Sequence, residues 1–455
     1  MRRRPSLRGR RSRDDGRSRQ GSSVTAAPSD IAIPASPQQG FNQAFVALRY
    51  RPFATFWTGA FISNSGTWIQ NVIIPYVIYQ TTGSATVVGL AGFAQYIPTF
   101  FVSPVGGWLA DRHARRSVLL VTQTVQALLA IALWAVFVSG VRGTGMLIGL
   151  VFLTGIMQGL SVPAWQAFVV DLVPRSALRN AVTLNSAQFN AARAVGPAIA
   201  GVVIAGLGAS WGIMINALSY GAVIGALLTI PRTIGVVESE RMKPPLLRQI
   251  GESFACVRAT RGLVVVISLL AVGAGLGHPV LQLLPIFADE VFGVEAWRYG
   301  LMVASLGTGG VLGAVLLGAL GPGRSRSSIV GVSLFAYGAA LVAFGLAPGY
   351  STGVAALFIA GLLYLIYMAT LQSALQVQVP EGLRGGVLAI YVMTFNLAFS
   401  MGVLAQGMLA DVFGPRWTVI GSGVLIGVAV ITARRKGALV ALDDEYGGTL
   451  PAARG

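Results

Sequence analysis

Apolar segments of about the length of a bilayer crossing repeat along most of this chain, separated by short polar breaks. A helix needs about 20 residues to cross a hydrocarbon core, and each segment meets that length once tilt is allowed. Twelve membrane-spanning helices are therefore predicted. The predicted spans cover residues 54–77, 85–107, 117–139, 144–168, 182–206, 210–230, 263–288, 299–320, 328–347, 353–377, 387–411 and 415–433.

The last six predicted spans repeat the first six. A shift of 206 residues aligns Val173-Pro174 with Val379-Pro380, Phe189-Asn190 with Phe395-Asn396, Gly196 with Gly402, Gly201 with Gly407, Gly208 with Gly414 and Trp211 with Trp417. The sequence predicts an all-α polytopic membrane protein of two pseudo-symmetric six-helix bundles. Such parallel repeats are typical of carriers with a binding site at the midplane, whereas a duplicated scaffold without transport is the alternative.

The repeat and the polar stretches also divide the chain into domains. The predicted parts are an Arg-rich cytoplasmic tail (1–44), an N-terminal bundle (45–230), a cytoplasmic linker (231–262), a C-terminal bundle (263–433) and a cytoplasmic tail (434–455). The first tail is predicted to be disordered and to lie on anionic lipid, because it has almost no apolar clusters. An RNA-binding or export-signal arm is the alternative, although no apolar stretch follows the arginines as a signal peptide requires.

Composition narrows the function classes. Hydrophobic residues make up 54% of the chain and charged residues only 11%, against roughly 25% in soluble domains, so an ordinary globular enzyme is excluded. One cysteine and two histidines exclude a disulfide framework and a multi-histidine metal centre. No nucleotide-binding loop and no nucleophile–base pair stands out, so neither enzymatic chemistry nor a cofactor is expected.

The net charge of +17 reflects topology rather than a nucleic-acid partner. If the N-terminus is cytoplasmic, 29 of the 33 Lys and Arg residues fall on the inner side and only Arg142, Arg298 and Arg416 on the outer side. Positive loops stay in the cytoplasm, so both termini are predicted to be cytoplasmic.

The loop after the second span carries the pattern Gly107, then Asp111-Arg112, then Arg115-Arg116. This loop resembles the signature loop of the major facilitator superfamily, with Ala114 in place of its second glycine. The resemblance implies that the aspartate helps to latch the two halves together on the cytoplasmic side. The alternative is simple cytoplasmic anchoring by the arginines. Gly107 is expected to let two helices approach closely.

The stretch from Pro163 to Gly201 resembles the branch of that superfamily that contains the enterobactin exporter and macrolide efflux proteins. It implies the superfamily fold and export of a siderophore or drug-like molecule. Gly196, Pro197 and Gly201 resemble the fifth-span motif of exporters, and a proline there bends the helix. Helix packing alone is the alternative. Asp171 and Arg115 are expected to extend the latch into a charge cluster, although Asp171 could be an ordinary helix-end charge.

Arg193 lies near the middle of the fifth predicted span, where an unpaired arginine is costly. We expect it to face the central cavity together with Asn190, one turn earlier. An anion-binding or gating role competes with a structural role in the cavity wall.

Other polar and aromatic positions within spans are candidates for the cavity wall. They are Asn64, Trp68, Asn71, Gln158, His278, Gln282, Tyr364, Tyr367, Tyr391 and Asn396. A cavity that mixes aromatic and uncharged polar groups suits a bulky aromatic ligand, whereas interhelical hydrogen bonding is the alternative for each residue alone. No acidic residue lies at the centre of a span, so His278 is either a proton carrier or a kink residue before Pro279.

Together these features predict a bacterial plasma-membrane carrier that exports a small amphipathic molecule by alternating access. Coupling to protons, as an antiporter, is what the resemblance implies. The alternatives are a lipid or metabolite carrier of the same fold, or a membrane sensor that transports nothing.

Overall fold

The computed structural model describes residues 45–140, 143–234, 246–319, 323–380 and 383–445. The predicted N-terminal tail, Arg142 and the last ten residues lie outside this described part. Fourteen α-helices occur in it. They are α1 (Arg51–Thr82), α2 (Ala85–Arg112), α3 (Arg115–Val138), α4 (Thr144–Asp171), α5 (Leu178–Leu207), α6 (Ala209–Thr229), α7 (Leu246–Ala259), α8 (Arg261–Val272), α9 (Val280–Ile286), α10 (Ala296–Ala319), α11 (Arg326–Gly345), α12 (Tyr350–Gln378), α13 (Arg384–Phe413) and α14 (Pro415–Arg435).

Each predicted span corresponds to helix, and most of the helices extend a few residues beyond the apolar segment. Among the described residues, eleven helical segments are long and apolar enough to cross a membrane. The twelfth is α1, which has sufficient length but carries Asn64, Gln70 and Asn71 near its middle. Those amides reduce its hydropathy and serve interhelical hydrogen bonds instead. The fold is that of a polytopic helical membrane protein, as predicted, and exposed Leu, Val, Ile and Phe side chains cover its outer faces.

Span seven is composite. It consists of α8, a π-helix at Gly273–Gly277, α9 and a second π-helix at Phe287–Val291. The Gln406 side-chain amide on α13 donates to the Leu276 carbonyl at 2.6 Å, which satisfies an acceptor in the first π-helix. Span seven therefore departs from a regular α-helix at two places. π-Helices are often found at functional sites, which makes these places candidates for a functional role. The linker also contains α7, a helix that the sequence analysis did not predict.

Backbone geometry supports the internal repeat. Gly208 joins α5 to α6 with φ of 89°, and Gly414, 206 residues later, joins α13 to α14 with φ of 83°. Residues with a side chain rarely adopt these angles, so glycine is required at both corners. The two bundles therefore turn in the same way between their fifth and sixth spans.

Glycines also decide how closely the helices pack. A Cβ on Gly106 would lie 2.7 Å from the Gly159 carbonyl oxygen on α4, whereas a Cβ on Gly107 would meet nothing within 4 Å. The prediction that Gly107 permits the close approach was therefore wrong by one residue. One helical step rotates a side chain by about 100°, so Gly106 faces α4 and Gly107 does not.

The two bundles contact each other near the end of the molecule that holds the α1–α2 turn, called here the α1–α2 end. A Cβ on Gly407 of α13 would lie 2.9 Å from the Gly89 Cα of α2, and one on Gly201 of α5 would lie 2.8 Å from the Gly300 Cα of α10. Under the repeat α5 corresponds to α13, and α2 to α10. The contacts are therefore two copies of the same helix pairing.

Candidate substrate cavity

Arg193 lies at the seam between the bundles, near the middle of α5. Its guanidinium carbon is 5.4 Å from the Trp68 ring centroid on α1 and 5.2 Å from the Tyr364 ring centroid on α12. Both distances fall within the range of cation–π attraction. No carboxylate in the described part of the chain forms a salt bridge with Arg193, so the contacts that stabilise this charge there are with aromatic rings. The sequence predicted a central position for the residue but gave no indication of these partners.

An aromatic cluster continues from Tyr364 into span seven. The His278 ring stacks on Tyr364 with centroids 4.9 Å apart and planes 13° apart, and it also contacts Phe395 and Phe399 on α13. Tyr96 on α2 contacts Phe399 with a centroid separation of 4.8 Å, which joins the two bundles again. The sequence analysis missed Tyr96, Phe395 and Phe399, because apolar aromatics in a span do not differ from lipid-facing ones by pattern.

Two tyrosines near this cluster have unused hydrogen-bonding capacity. The hydroxyl groups of Tyr367 and Tyr391 are buried and have no hydrogen-bond partner among the described residues. Tyr367 packs against Tyr364 and Tyr337, with ring centroids 5.6 and 5.5 Å away. A buried hydroxyl without a partner costs free energy, so these groups are suited to a ligand or ordered water.

The predicted cavity amides fall into two groups. Asn64 donates to Gln188 on α5 at 3.2 Å, and Asn71 accepts from Gln95 on α2 at 2.9 Å, so both link neighbouring helices of the first bundle. The sequence analysis missed the partners Gln95 and Gln188.

Asn190 and Asn396 behave differently from the interhelical pairs. Each donates to the carbonyl four residues earlier in its own helix, at 2.9 Å. They are related by the 206-residue shift, so the repeat preserves even this local bond. Asn190 therefore lies on the helix of Arg193, but among the described residues its side chain forms its hydrogen bond to Ser186 and not to Arg193.

Two further glutamines complete the predicted set. Gln282 is buried on α9, where its Cδ lies 3.7 Å from the position that a Cβ on Gly92 of α2 would take. Gln158 is half-buried on α4. Among the described residues, no hydrogen bond joins the Gln158 side chain to the aromatic cluster around Arg193.

The predicted charge cluster lies at the end of the first bundle that is opposite the α1–α2 end. Arg115 donates to Asp171 at 2.6 Å, and both side chains are 21% exposed. Arg116 is buried and donates to the Leu227 carbonyl at 2.7 Å, close to the end of α6, where a cation complements the helix dipole.

The remaining members of the signature loop are exposed. Asp111 and Arg112 lie at the end of α2, and the Arg112 guanidinium carbon is 4.8 Å from the Trp108 ring centroid. The contact between Arg115 and Asp171 was predicted, whereas the bonds from Arg116 to helix-end carbonyls were not. Backbone acceptors leave no trace in the sequence pattern.

The helix-bend motif is a packing site. A Cβ on Gly196 would lie 2.5 Å from the Trp68 Cβ, so this glycine brings α1 against α5 directly beside Arg193. α5 remains helical through Pro197. Gly196 and Gly201 thus lie where α5 packs closely against α1 and α10, while a bend of α5 at Pro197 stays a prediction.

A groove of about 720 Å³ lies between span seven, α13 and α14, and Arg193 is not among the residues that line it. Its lining is almost entirely apolar and includes Gln406, but it contains none of the predicted cavity residues. The groove is therefore separate from the aromatic cluster.

Solved structures share this architecture. The chain superposes on a bacterial homologue of the human lysosomal transporter Spinster, in an inward-facing and unoccupied conformation, with a TM-score of 0.70 and 15% identity over 88% of this chain and 99% of that one. It superposes on a POT family transporter in complex with 5-aminolevulinic acid with a TM-score of 0.71 and 13% identity, covering 88% and 97% of the two chains. At these identities the likeness concerns the fold.

Proteins related in sequence give a more specific comparison than the solved structures do. The chain is 24% identical to macrolide efflux protein A of Streptococcus pyogenes over 386 residues, which is 83% of this chain and 94% of that protein. It is 25% identical to the staphyloferrin A transporter of Staphylococcus aureus (79% and 89% covered) and to the enterobactin exporter of Shigella flexneri (83% and 90% covered). The family model described as transmembrane secretion effector matches residues 42–445. This match covers most of the chain, which therefore belongs to the transmembrane secretion effectors of the major facilitator superfamily.

Proposed function

We propose that this chain is a proton-driven antiporter that exports a small amphipathic anion by alternating access. The observation that carries the proposal is the position of Arg193, whose charge lies between aromatic rings of both bundles and has no salt-bridge partner in the described part of the chain. The siderophore and macrolide transporters among its relatives support export as the direction.

Orientation is the first step of the proposal. The Lys and Arg bias favours cytoplasmic termini in a bacterial plasma membrane, so the α1–α2 end would face outward. The bundle contacts at Gly89–Gly407 and Gly201–Gly300 would then close the outer side. In this arrangement the substrate enters from the cytoplasm.

Substrate recognition is the second step. A carboxylate or phenolate is a stronger partner for a guanidinium than a ring face is, and in a site shielded from water the attraction increases. An arriving anion would draw Arg193 away from Trp68 and Tyr364. Because Tyr364 belongs to the other bundle, binding would release one of the contacts across the seam. Aromatic neighbours would hold the apolar part of the ligand.

Coupling is the third step. In the described spans no carboxylate lies beside Arg193, and His278 ends the first π-helix, with its backbone N–H donating to Gly273 at 3.1 Å. Its ring packs among aromatic rings, which supports the kink role over the proton-carrier role. We therefore propose the proton gradient as the driving force without assigning His278 as its carrier.

The test is efflux from exporter-deficient bacterial cells. The cells would be loaded with an anionic catecholate siderophore, an anionic fluorescein dye or a cationic rhodamine dye, with and without an uncoupler. We expect uncoupler-sensitive efflux of the anions. Arg193→Gln should lose it, Arg193→Lys should retain part, and Asp111→Asn tests the latch role that the family resemblance implies.

Three results would contradict the proposal. Unchanged anion efflux in Arg193→Gln at normal expression would refute the anion role. Uptake instead of efflux would favour the lipid or metabolite carrier, and no movement of any probe by a correctly inserted protein would favour the sensor.

A further inference from the structure

A carboxylate of the second bundle caps a helix of the first. Asp411, near the end of α13, accepts hydrogen bonds from the Ala85 and Thr86 backbone amides at 2.8 and 2.9 Å and from the Ser84 hydroxyl at 2.8 Å. The free N–H groups of a helix start need acceptors, and negative charge is favoured there. These bonds join parts of the chain more than 320 residues apart and lie beside the Gly89–Gly407 contact.

Both carboxylate oxygens are required. Oδ1 accepts from Ala85, while Oδ2 accepts from Thr86 and Ser84. A protonated carboxyl group carries a hydrogen on one of its oxygens, and an asparagine amide carries two hydrogens on its nitrogen. The asparagine amide would set a donor against a backbone N–H that can only donate, and protonation of the carboxylate would remove its negative charge and one of its acceptor positions. The arrangement therefore fits the ionised aspartate best.

The neighbouring contacts across the seam lack this property. The Tyr79 hydroxyl donates to a single oxygen of Glu290, and the Tyr299 hydroxyl donates to the Val72 carbonyl at 2.8 Å. A protonated Glu290 or a glutamine would still offer a carbonyl oxygen to Tyr79. Among these contacts, the one at Asp411 is the one that requires a negative charge.

No cation neutralises Asp411 within the described residues. The Tyr79 hydroxyl on α1 lies within electrostatic reach of Asp411 and also of Asp289 and Glu290 at the end of span seven. The charged residue that follows Asp411 along the chain is Arg416, at the start of α14. The Arg416 guanidinium donates to the Gly345 and Ala347 carbonyls at 2.9 Å each. The first turn of α2 carries no charged side chain. Loss of the Asp411 charge would therefore directly weaken the cap of α2.

We propose that Asp411 is a charge-dependent lock between the two bundles at the α1–α2 end. The ionised carboxylate holds α2 and α13 together, so removal of its charge would weaken the cap and favour separation of the bundles at that end. This rests on the proposed function in one respect, because the orientation proposed there makes this the outer side, which the lock would keep closed until substrate leaves.

The test measures the distance between two spin labels, one on each bundle, by electron paramagnetic resonance in lipid nanodiscs. Labels on Ser139→Cys and Leu346→Cys, at the ends of α3 and α11, would report this end in a Cys256→Ser background, since Cys256 is the native cysteine. We expect the wild type to keep one short distance at pH 7.5 and at pH 5, because the three donors favour the ionised carboxylate. Asp411→Asn should add a second, longer distance at both pH values, with the ratio of populations shifted about tenfold, as expected for a lost helix cap.

Glu290→Gln is the matched control, because it also neutralises a carboxylate at the same seam but keeps its acceptor. It should behave like the wild type. The proposal is overturned if Asp411→Asn keeps the wild-type distances, or if Glu290→Gln changes them equally. Size-exclusion profiles verify folding. Ser84→Ala removes the hydroxyl that donates to Asp411 and that also accepts from the Val87 backbone amide, but it keeps the charge and the two backbone bonds to Asp411, so it should give a smaller shift than Asp411→Asn.

Failure of the lock and failure of the proposed orientation are distinguishable. A membrane-impermeant thiol reagent should label Ser139→Cys from outside intact cells. Labelling only after lysis would contradict the orientation, whereas the nanodisc distances would still decide the lock.

Discussion

The Arg193 guanidinium and the Tyr364 ring lie 5.2 Å apart and belong to different bundles. Trp68, from the bundle of Arg193, lies on the same cation at 5.4 Å. A charge held between two rings is stabilised without an ion pair, so it remains available for an anionic ligand. This relationship links recognition of substrate to the seam that must open during transport.

The first prediction concerns the Tyr364 ring. Tyr364→Phe keeps a ring face for Arg193 and should leave KM for an exported anion near the wild-type value. Tyr364→Leu removes a contact of about 0.5–2 kcal/mol that anion binding would otherwise have to break, so it should lower KM by about twofold to thirtyfold. Initial efflux rates at several substrate concentrations measure this. Equal KM values in the two variants would show that the ring plays no part in binding.

The second prediction concerns buried tyrosine hydroxyls. Tyr367→Phe removes a hydroxyl that has no partner among the described residues, so the thermal unfolding midpoint in detergent should stay the same or rise. Tyr299→Phe is the control, because its hydroxyl donates to the Val72 carbonyl, and its loss should cost about 1 kcal/mol. A drop in Tyr367→Phe as large as in Tyr299→Phe would mean that the Tyr367 hydroxyl is bonded in the folded protein.

The third prediction uses neighbouring glycines. Gly106→Ala should destabilise the protein by about 1–3 kcal/mol, because its Cβ would press on the Gly159 and Leu160 carbonyl oxygens at 2.7 and 2.8 Å. Gly107→Ala should be neutral or slightly stabilising, since its Cβ meets nothing and alanine favours helix. Thermal unfolding and expression level report both. The reverse order of effects would place Gly107, not Gly106, against α4.

The fourth prediction concerns the Arg115–Asp171 pair. A double-mutant cycle with Arg115→Ala and Asp171→Ala should give a coupling energy of about 1 kcal/mol, because the pair is close and partly buried. The control pair is Arg326–Glu445, at 3.4 Å with Glu445 72% exposed, where no measurable coupling is expected. Thermal unfolding of the single and double variants supplies both values. Similar couplings would mean that burial of the first pair has no energetic consequence.

Features that depend on one segment at a time could be read from the sequence. A bilayer requires about 20 apolar residues per helix, so the spans were visible as apolar segments. The repeat was visible because matching residues recur 206 positions apart, among them Gly208 and Gly414, which both adopt positive φ. Family membership was likewise predicted, from the loop at Asp111-Arg112 and the stretch ending at Gly201, and the family match confirms it.

Features that depend on two distant segments required the tertiary structure. Asn190 and Asn396 bond to their own helices, whereas Asn64 bonds to Gln188, yet all three resemble cavity amides in sequence. Only packing decides which face of each helix meets which neighbour, and a shift of one residue moved the close approach from Gly107 to Gly106. The cap of α2 by Asp411 spans more than 320 residues, and no local pattern could have revealed it, because its donors are backbone amides that every sequence possesses.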